Sequence, residues 1–171
     1  MSYFGIINSM NKLDGSADAF LSAAGITDWK ITQAINNLVK DLKTSGIWSS
    51  CIAIYPFVGG TSTTMKYNLI DTTLYAITFN GGATYSSTGY LPNGTTGFAN
   101  TGINASAKLT QSNASLSFYS RTNAAAVNGV CIGAIVGTIA PMVGMYLKTA
   151  STTADARNSA GAGTQSVSVS N

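Results

Sequence analysis

At 171 residues the chain is long enough for one domain with a sizeable core. Hydrophobic residues make up 45% and charged residues only 9%, against about 25% charged in an average soluble domain. Ser, Thr, Asn and Gly therefore fill the exposed positions, which suits a part held in an assembly. The net charge of +3 comes from basic residues scattered between Lys12 and Arg157, with no basic block or basic helix face, and this excludes a nucleic-acid-binding surface.

The opening MSYFGIINSMNKLDG has no basic leader and no long apolar core, so it is not a secretory signal. Phe4, Ile6 and Ile7 suit a short strand or arm, laid on this domain or on a neighbour. SADAFLSAA predicts a short helix over Ser16–Ala24, with Ser16 as its cap and Gly25 as its stop. A second, stronger helix follows. Thr27 or Asp28 supplies a cap oxygen for its free amides. Ile31, Ala34, Ile35, Leu38, Val39 and Leu42 form one apolar stripe at helical spacing. Asp28 sits at the positive end of the helix dipole, Lys40 and Lys43 near the negative end, and Gly46 supplies the left-handed stop. The two helices make an αα-hairpin. The stripe packs on its own domain, which is the ordinary outcome, or on another subunit.

Cys51–Val58 (CIAIYPFV) is an apolar run of strand length closed by Gly59-Gly60. Pro56 places that strand at an edge or a bulge. Beyond it, Gly81-Gly82, Pro92-Asn93-Gly94, Asn100 and Asn128-Gly129 mark reversals. Between them lie β-type segments at Met65–Ile70, Leu74–Asn80, Gly97–Gly102, Ser115–Arg121, Val127–Val136 and Met142–Lys148. Strands at this spacing predict an all-β sandwich. Val127–Leu147 is uncharged and as long as a membrane span. Its Asn128, Pro141 and repeated glycines instead fit two buried strands joined by a turn around Gly137–Pro141, so no membrane insertion is expected. Ser151–Asn171 holds few large apolar residues and reads as loop, as weak strand over Ser166–Ser170, or as the start of a linker.

Four pieces carry a family resemblance. They are GITDWKITQAINNLVKDLKTSGIWSSCIAIYPFVGG, MKYNLID, TFNGGATYSSTGYLPNGTTGFANTGIN and SLSFYSRTN. Together, over about residues 14–135, they resemble a recurrent domain of tailed-bacteriophage virion proteins whose β part is similar to the laminin-G and concanavalin-A-like lectin sandwich. Members often carry a His near Lys66 and another near Tyr85, and this chain has none. The family's sandwich usually runs on past the point corresponding to Asn171, so the resemblance implies a longer natural chain.

Catalytic signals are sparse. The chain has no His, hence no ordinary general base, Ser–His triad or imidazole ligand. Its six acidic residues are all Asp, at 14, 18, 28, 41, 71 and 155, and the first four fall in the helical region. A glycosidase needs two carboxylates across a cleft, and only Asp71 and Asp155 remain in the β region, far apart in sequence. The glycine strings lack the Gly-Lys-Ser/Thr ending of a phosphate loop. Cys51 and Cys131 each lie in an apolar run and read as buried free thiols. Two cysteines without His do not hold zinc. Calcium at Asp71 or Asp155 has no supporting motif.

These readings converge on a mainly β chain. A lectin-like, jelly-roll β-sandwich over residues 49–171 is preceded by an N-terminal arm and helical hairpin over residues 1–48. The expected function is non-enzymatic, with no catalytic, cofactor-binding or metal residues and no cofactor. The chain is expected to be a structural part of a tailed-phage virion, assembled in the bacterial host cytoplasm. A head fibre or decoration protein and a tail-fibre or baseplate element fit equally. Its partners would be other virion proteins and copies of itself, as a trimer. The alternative is an adhesin domain binding host-surface glycan. Of its aromatic candidates Trp48, Tyr85, Tyr90, Phe98 and Tyr119, Trp48 and Phe98 read as core, and Tyr85 and Tyr90 as the exposed pair.

Overall fold

In the computed structural model, which describes residues 12–109, 114–121, 130–135, 142–150, 153–159 and 165–170, the chain opens on two helices. Helix α1 spans Gly15–Ala24. Its cap is Asp14 rather than Ser16, and the Asp14 carboxylate accepts from the Ser16 amide. Helix α2 spans Trp29–Thr44 and is capped by Asp28, which accepts from the amides of Lys30 and Ile31. Both helices close in the same way. Ile26 N donates to Leu21 O and Gly25 N to Ser22 O, while Ile47 N donates to Leu42 O and Gly46 N to Lys43 O. Gly46 sits at φ 73°, where a β-carbon would be strained.

The apolar stripe of α2 is only partly used. Ile35 and Val39 are buried, Ile31 and Leu42 half-buried, and Ala34 and Leu38 exposed. The buried face turns instead toward Asn36, whose side-chain oxygen accepts from the Asp14 amide at 2.8 Å. Lys43 adds an ion pair to Asp14 at 2.6 Å and lies over the Trp48 ring. These polar contacts with the start of α1 set the rotation of α2. Ala17, Phe20 and Leu21 of α1 then meet Ile35, Val39 and Leu69 in the core, with Trp48, Ile54, Val58 and Tyr67 packed around it.

The β-sandwich is not there. The fold is not mainly β, and neither a lectin-like sandwich nor a jelly roll forms among the described residues. The expected strand at Cys51–Val58 runs as half-buried, non-strand chain after a 3-10 turn over Trp48–Ser50. Two of its hydrogen bonds go to a side chain. Buried Asn68 accepts from the amides of Ile54 and Ile70 and donates to Ile52 O, and Leu69 N donates to Ile54 O. Pro56 has no amide for a ladder, and Phe57 takes φ 51°, which ends extended pairing. The expected strand at Met65–Ile70 is also replaced. Thr61 and Thr64 form a reciprocal capping box that starts a one-turn helix α3, Ser62–Met65, and irregular chain follows it.

What remains of the β signal in the first part is two short antiparallel ribbons. Strand β1 (Thr78–Asn80) pairs with β4 (Phe98–Asn100), and β2 (Ala83–Ser86) pairs with β3 (Gly89–Pro92). The segments expected at Leu74–Asn80 and Gly97–Gly102 shrink to β1 and β4. Asn93 ties the connecting loop together, its side-chain oxygen accepting from the amides of Thr95, Thr96 and Gly97.

The chain divides into two compact units, Met1–Ile103 and Asn104–Asn171, so residue 48 falls inside the first. The second unit holds a one-turn helix α4 (Ala105–Lys108) and strands β5 (Val130–Ile135), β6 (Met142–Ala150), β7 (Thr153–Ser159) and β8 (Gln165–Ser170). These form a four-stranded antiparallel meander in sequence order. Gly133 lies opposite Gly144, Gly144 opposite Arg157, and Arg157 opposite Ser166. The register shifts between Val130 and Ile132. The uncharged stretch is therefore two antiparallel strands, and among the described residues no helix is long and apolar enough to cross a membrane. Residues 114–121 form no strand, against the expectation for Ser115–Arg121. The arm at Phe4, Ile6 and Ile7 and the turns at Asn128-Gly129 and Gly137–Pro141 lie outside the described residues.

Candidate functional site

The two ribbons of the first unit bring together a cluster of aromatic rings. Tyr85 on β2 and Tyr90 on β3 are direct partners across their ribbon, with ring centroids 5.6 Å apart. Phe79 of β1 lies 5.1 Å from Tyr85, edge to face, and 5.0 Å from Tyr90. Phe57 stacks on Tyr90 at 6.1 Å, and Tyr55 in turn meets Phe57. Contacts of this kind contribute about 0.5–1.5 kcal/mol each beyond their area.

Backbone strain gathers at the same place. Among the described residues the non-glycine positions with left-handed φ are Phe57 and Tyr75, and each costs about 1–3 kcal/mol. Tyr55 connects them, since it stands two residues before Phe57 and its hydroxyl donates to Tyr75 O at 2.6 Å. Burial, and then the neighbouring Tyr75 phenol, push the Tyr55 hydroxyl up to about 12. Burial, followed by the Tyr85 phenol, also raises Tyr90. The Tyr90 hydroxyl is buried with no hydrogen-bond partner among the described residues.

A cleft of about 300 Å³ opens beside this cluster, lined by Ser62, Thr63, Lys66, Phe79 and Tyr85. Helix α3 supplies Ser62 and Thr63, and Lys66 follows directly as its C-cap. The helix is held by the Thr61–Thr64 box and by Ile77 N donating to Lys66 O at 2.8 Å. A second cleft, about 430 Å³, runs beside α1 and α2 over Leu13, Leu21 and Ile26, with Asp18, Ser22 and Thr32 at its edge. It has no aromatic ring and no cation in its lining.

The sequence-level aromatic candidates separate clearly. Tyr85 and Tyr90 are brought together, but on paired strands and half-buried rather than on an exposed loop. Trp48 is half-buried against the core, as expected. Phe98 is 56% exposed and is not core, and Tyr119 is 84% exposed. Sequence reasoning did not single out Phe57, Phe79, Ser62, Thr63 or Lys66 as one group, because their meeting depends on the ribbon register.

Other chemistry-bearing residues stay local. Asp71 is fully exposed and accepts from the Thr73 amide and hydroxyl, and those hydrogen bonds hold its carboxyl below the usual range. Asp155 pairs across β7 with Tyr146 and Ser168. Cys51 and Cys131 are free thiols, half-buried rather than buried. Among the described residues no group of three His, Cys, Asp or Glu side chains is placed to hold a metal. No protein family matches this chain, and no curated protein or solved structure is significantly similar to it.

Proposed function

We propose that this chain is a non-enzymatic structural component of a tailed-phage particle and works by assembling into the virion. The carrying observation is its surface. Eight large hydrophobic side chains are exposed among the described residues, in a chain with few charges to keep such a surface apart from others. Trp29, at the start of α2, is 69% exposed. Leu38 leaves part of the α2 stripe uncovered. Scattered exposed apolar residues are ordinary, but with so little charge they favour burial against partners. The sequence resemblance to a recurrent domain of phage virion proteins supports the same reading without its lectin sandwich. The partners are other particle proteins and further copies of the chain, most simply a symmetric homo-oligomer such as a trimer. Mass spectrometry of gradient-purified particles is the test. Peptides of this chain are expected at the stoichiometry of a structural protein, and their absence from particles sinks the proposal.

A second reading, glycan binding, is favoured by one observation, the aromatic cluster beside an open cleft. Sugars lay their apolar faces on such rings. Tyr85 lines the cleft and Tyr90 backs it. Tyr85→Ala is therefore expected to abolish any sugar binding, while Tyr119→Ala, in the other compact unit, leaves it unchanged in a glycan-array assay.

A further inference from the structure

We propose that the cleft between α3 and β2 is a subsite for an acidic sugar, a pyranose ring carrying a carboxylate, with Lys66 as its counter-ion. This deepens the glycan-binding reading and rests on it. The argument starts from which polar groups are already used. Around the cleft, the Thr61 and Thr64 hydroxyls are consumed by the capping box, and the Ser86 and Thr88 hydroxyls by each other. The cleft's own groups are not consumed. The hydroxyls of Ser62, Thr63 and Tyr85 and the Lys66 ammonium make no hydrogen bond or ion pair among the described residues. Lys66 instead rests over the Tyr67 ring, 5.0 Å from its centre.

Three hydroxyl-bearing residues, Lys66 and Phe79 thus line one cleft of about 300 Å³, where an incoming carboxylate competes with the Tyr67 ring for the Lys66 ammonium. That volume is at the small end of the range that holds a ligand. An apolar ligand would strand the hydroxyls and the ammonium without partners, at a cost for each. A bare inorganic anion would use Lys66 and leave the rings idle. A sugar ring uses the aromatic faces and hydroxyls together, and a carboxylate on it uses the ammonium through a charge-assisted hydrogen bond. The support behind the cleft is rigid. The Lys66 carbonyl is bonded to the Ile77 amide, and Tyr85 is braced by Phe79 and Tyr90.

The test is an NMR titration of the full chain with three probes: trigalacturonate, its neutral methyl ester, and inorganic phosphate. The expected result is saturable binding of the acid, with amide shifts centred on 62–66 and 85. The ester should bind about tenfold more weakly, and phosphate should not saturate. Raising the salt should weaken the acid and leave the ester unchanged. Lys66→Met should bring the acid down to the ester's affinity, and Lys66→Arg should restore it. Equal binding of acid and ester overturns the acidic subsite and leaves the glycan reading standing. Saturation by neither sugar removes both. Shifts centred away from the cleft, or phosphate binding as tightly as the acid, also overturn the proposal.

Discussion

Single side chains decide the first unit's shape out of proportion to their number. Asn68 is fully buried and replaces a strand partner for the chain before it. Asn68→Ala leaves the amides of Ile54 and Ile70 and the carbonyl of Ile52 unpaired in partly buried chain. It is expected to cost about 3 kcal/mol in urea unfolding. Tyr90 presents the opposite case. Its hydroxyl is buried without a partner while its ring meets three others. Tyr90→Phe keeps the rings and removes the stranded group, so stability should rise by about 1 kcal/mol. The same burial gives an alkaline limit. Tyr55 ionises near 12 when folded and near 10 when unfolded. Its contribution is present in full below the unfolded value and is lost as pH rises toward the folded one, because the unfolded chain releases the proton first. Absorbance at the tyrosinate band should show Tyr55 and Tyr90 titrating late, together with loss of structure.

At the scale of elements, the ribbons depend on one tight crossing. Gly81 sits at φ 66°, and a β-carbon there would run into the Thr96 carbonyl. Gly94 has a similar φ of 77° but open space around it. Gly94→Ala should therefore cost about 1 kcal/mol, the conformational penalty alone. Gly81→Ala should cost about 3 kcal/mol and shift the β1–β4 ribbon. A thermal unfolding comparison of the two variants separates conformation from contact. The helices were legible in the sequence because their signals are local. Asp28, the i, i+4 stripe and Gly46 act within one or two turns of one another. The strand expected at Cys51–Val58 was misread for the complementary reason. An apolar run states that a segment is covered, not which groups take its hydrogen bonds, and here a side chain sixteen to fourteen positions on takes two of them.

At the scale of the molecule, Met1–Ile103 is a compact unit with its own core between α1, α2 and the chain up to Leu69. Expressed alone, residues 1–103 should unfold cooperatively. Both tryptophans, Trp29 and Trp48, lie in this unit, so fluorescence reports on it directly. A non-cooperative transition would mean that the core needs the second unit. The candidate site lies wholly in the first unit, and of its lining only Tyr85 is legible in the sequence. Tyr85 and Tyr90 stood out as aromatic residues near turn signals. Lys66, Ser62 and Thr63 did not, since only the fold carries them to the same cleft.

The sequence by itself determined the two helices and the left-handed glycines that close them, though not the Asp14 cap of the first, together with two strands within the uncharged stretch and a surface poor in charge. Each depends on neighbours along the chain or on composition. Tertiary structure alone decided that β-type runs become two ribbons and a meander instead of a sandwich, and that the α2 stripe turns toward Asn36. It alone decided that five aromatic rings cluster, two of them, Phe79 and Tyr85, lining one cleft with Lys66. Those outcomes rest on hydrogen bonds and packing between distant residues. Alternation and propensity record only that a side chain is covered, and leave open what covers it.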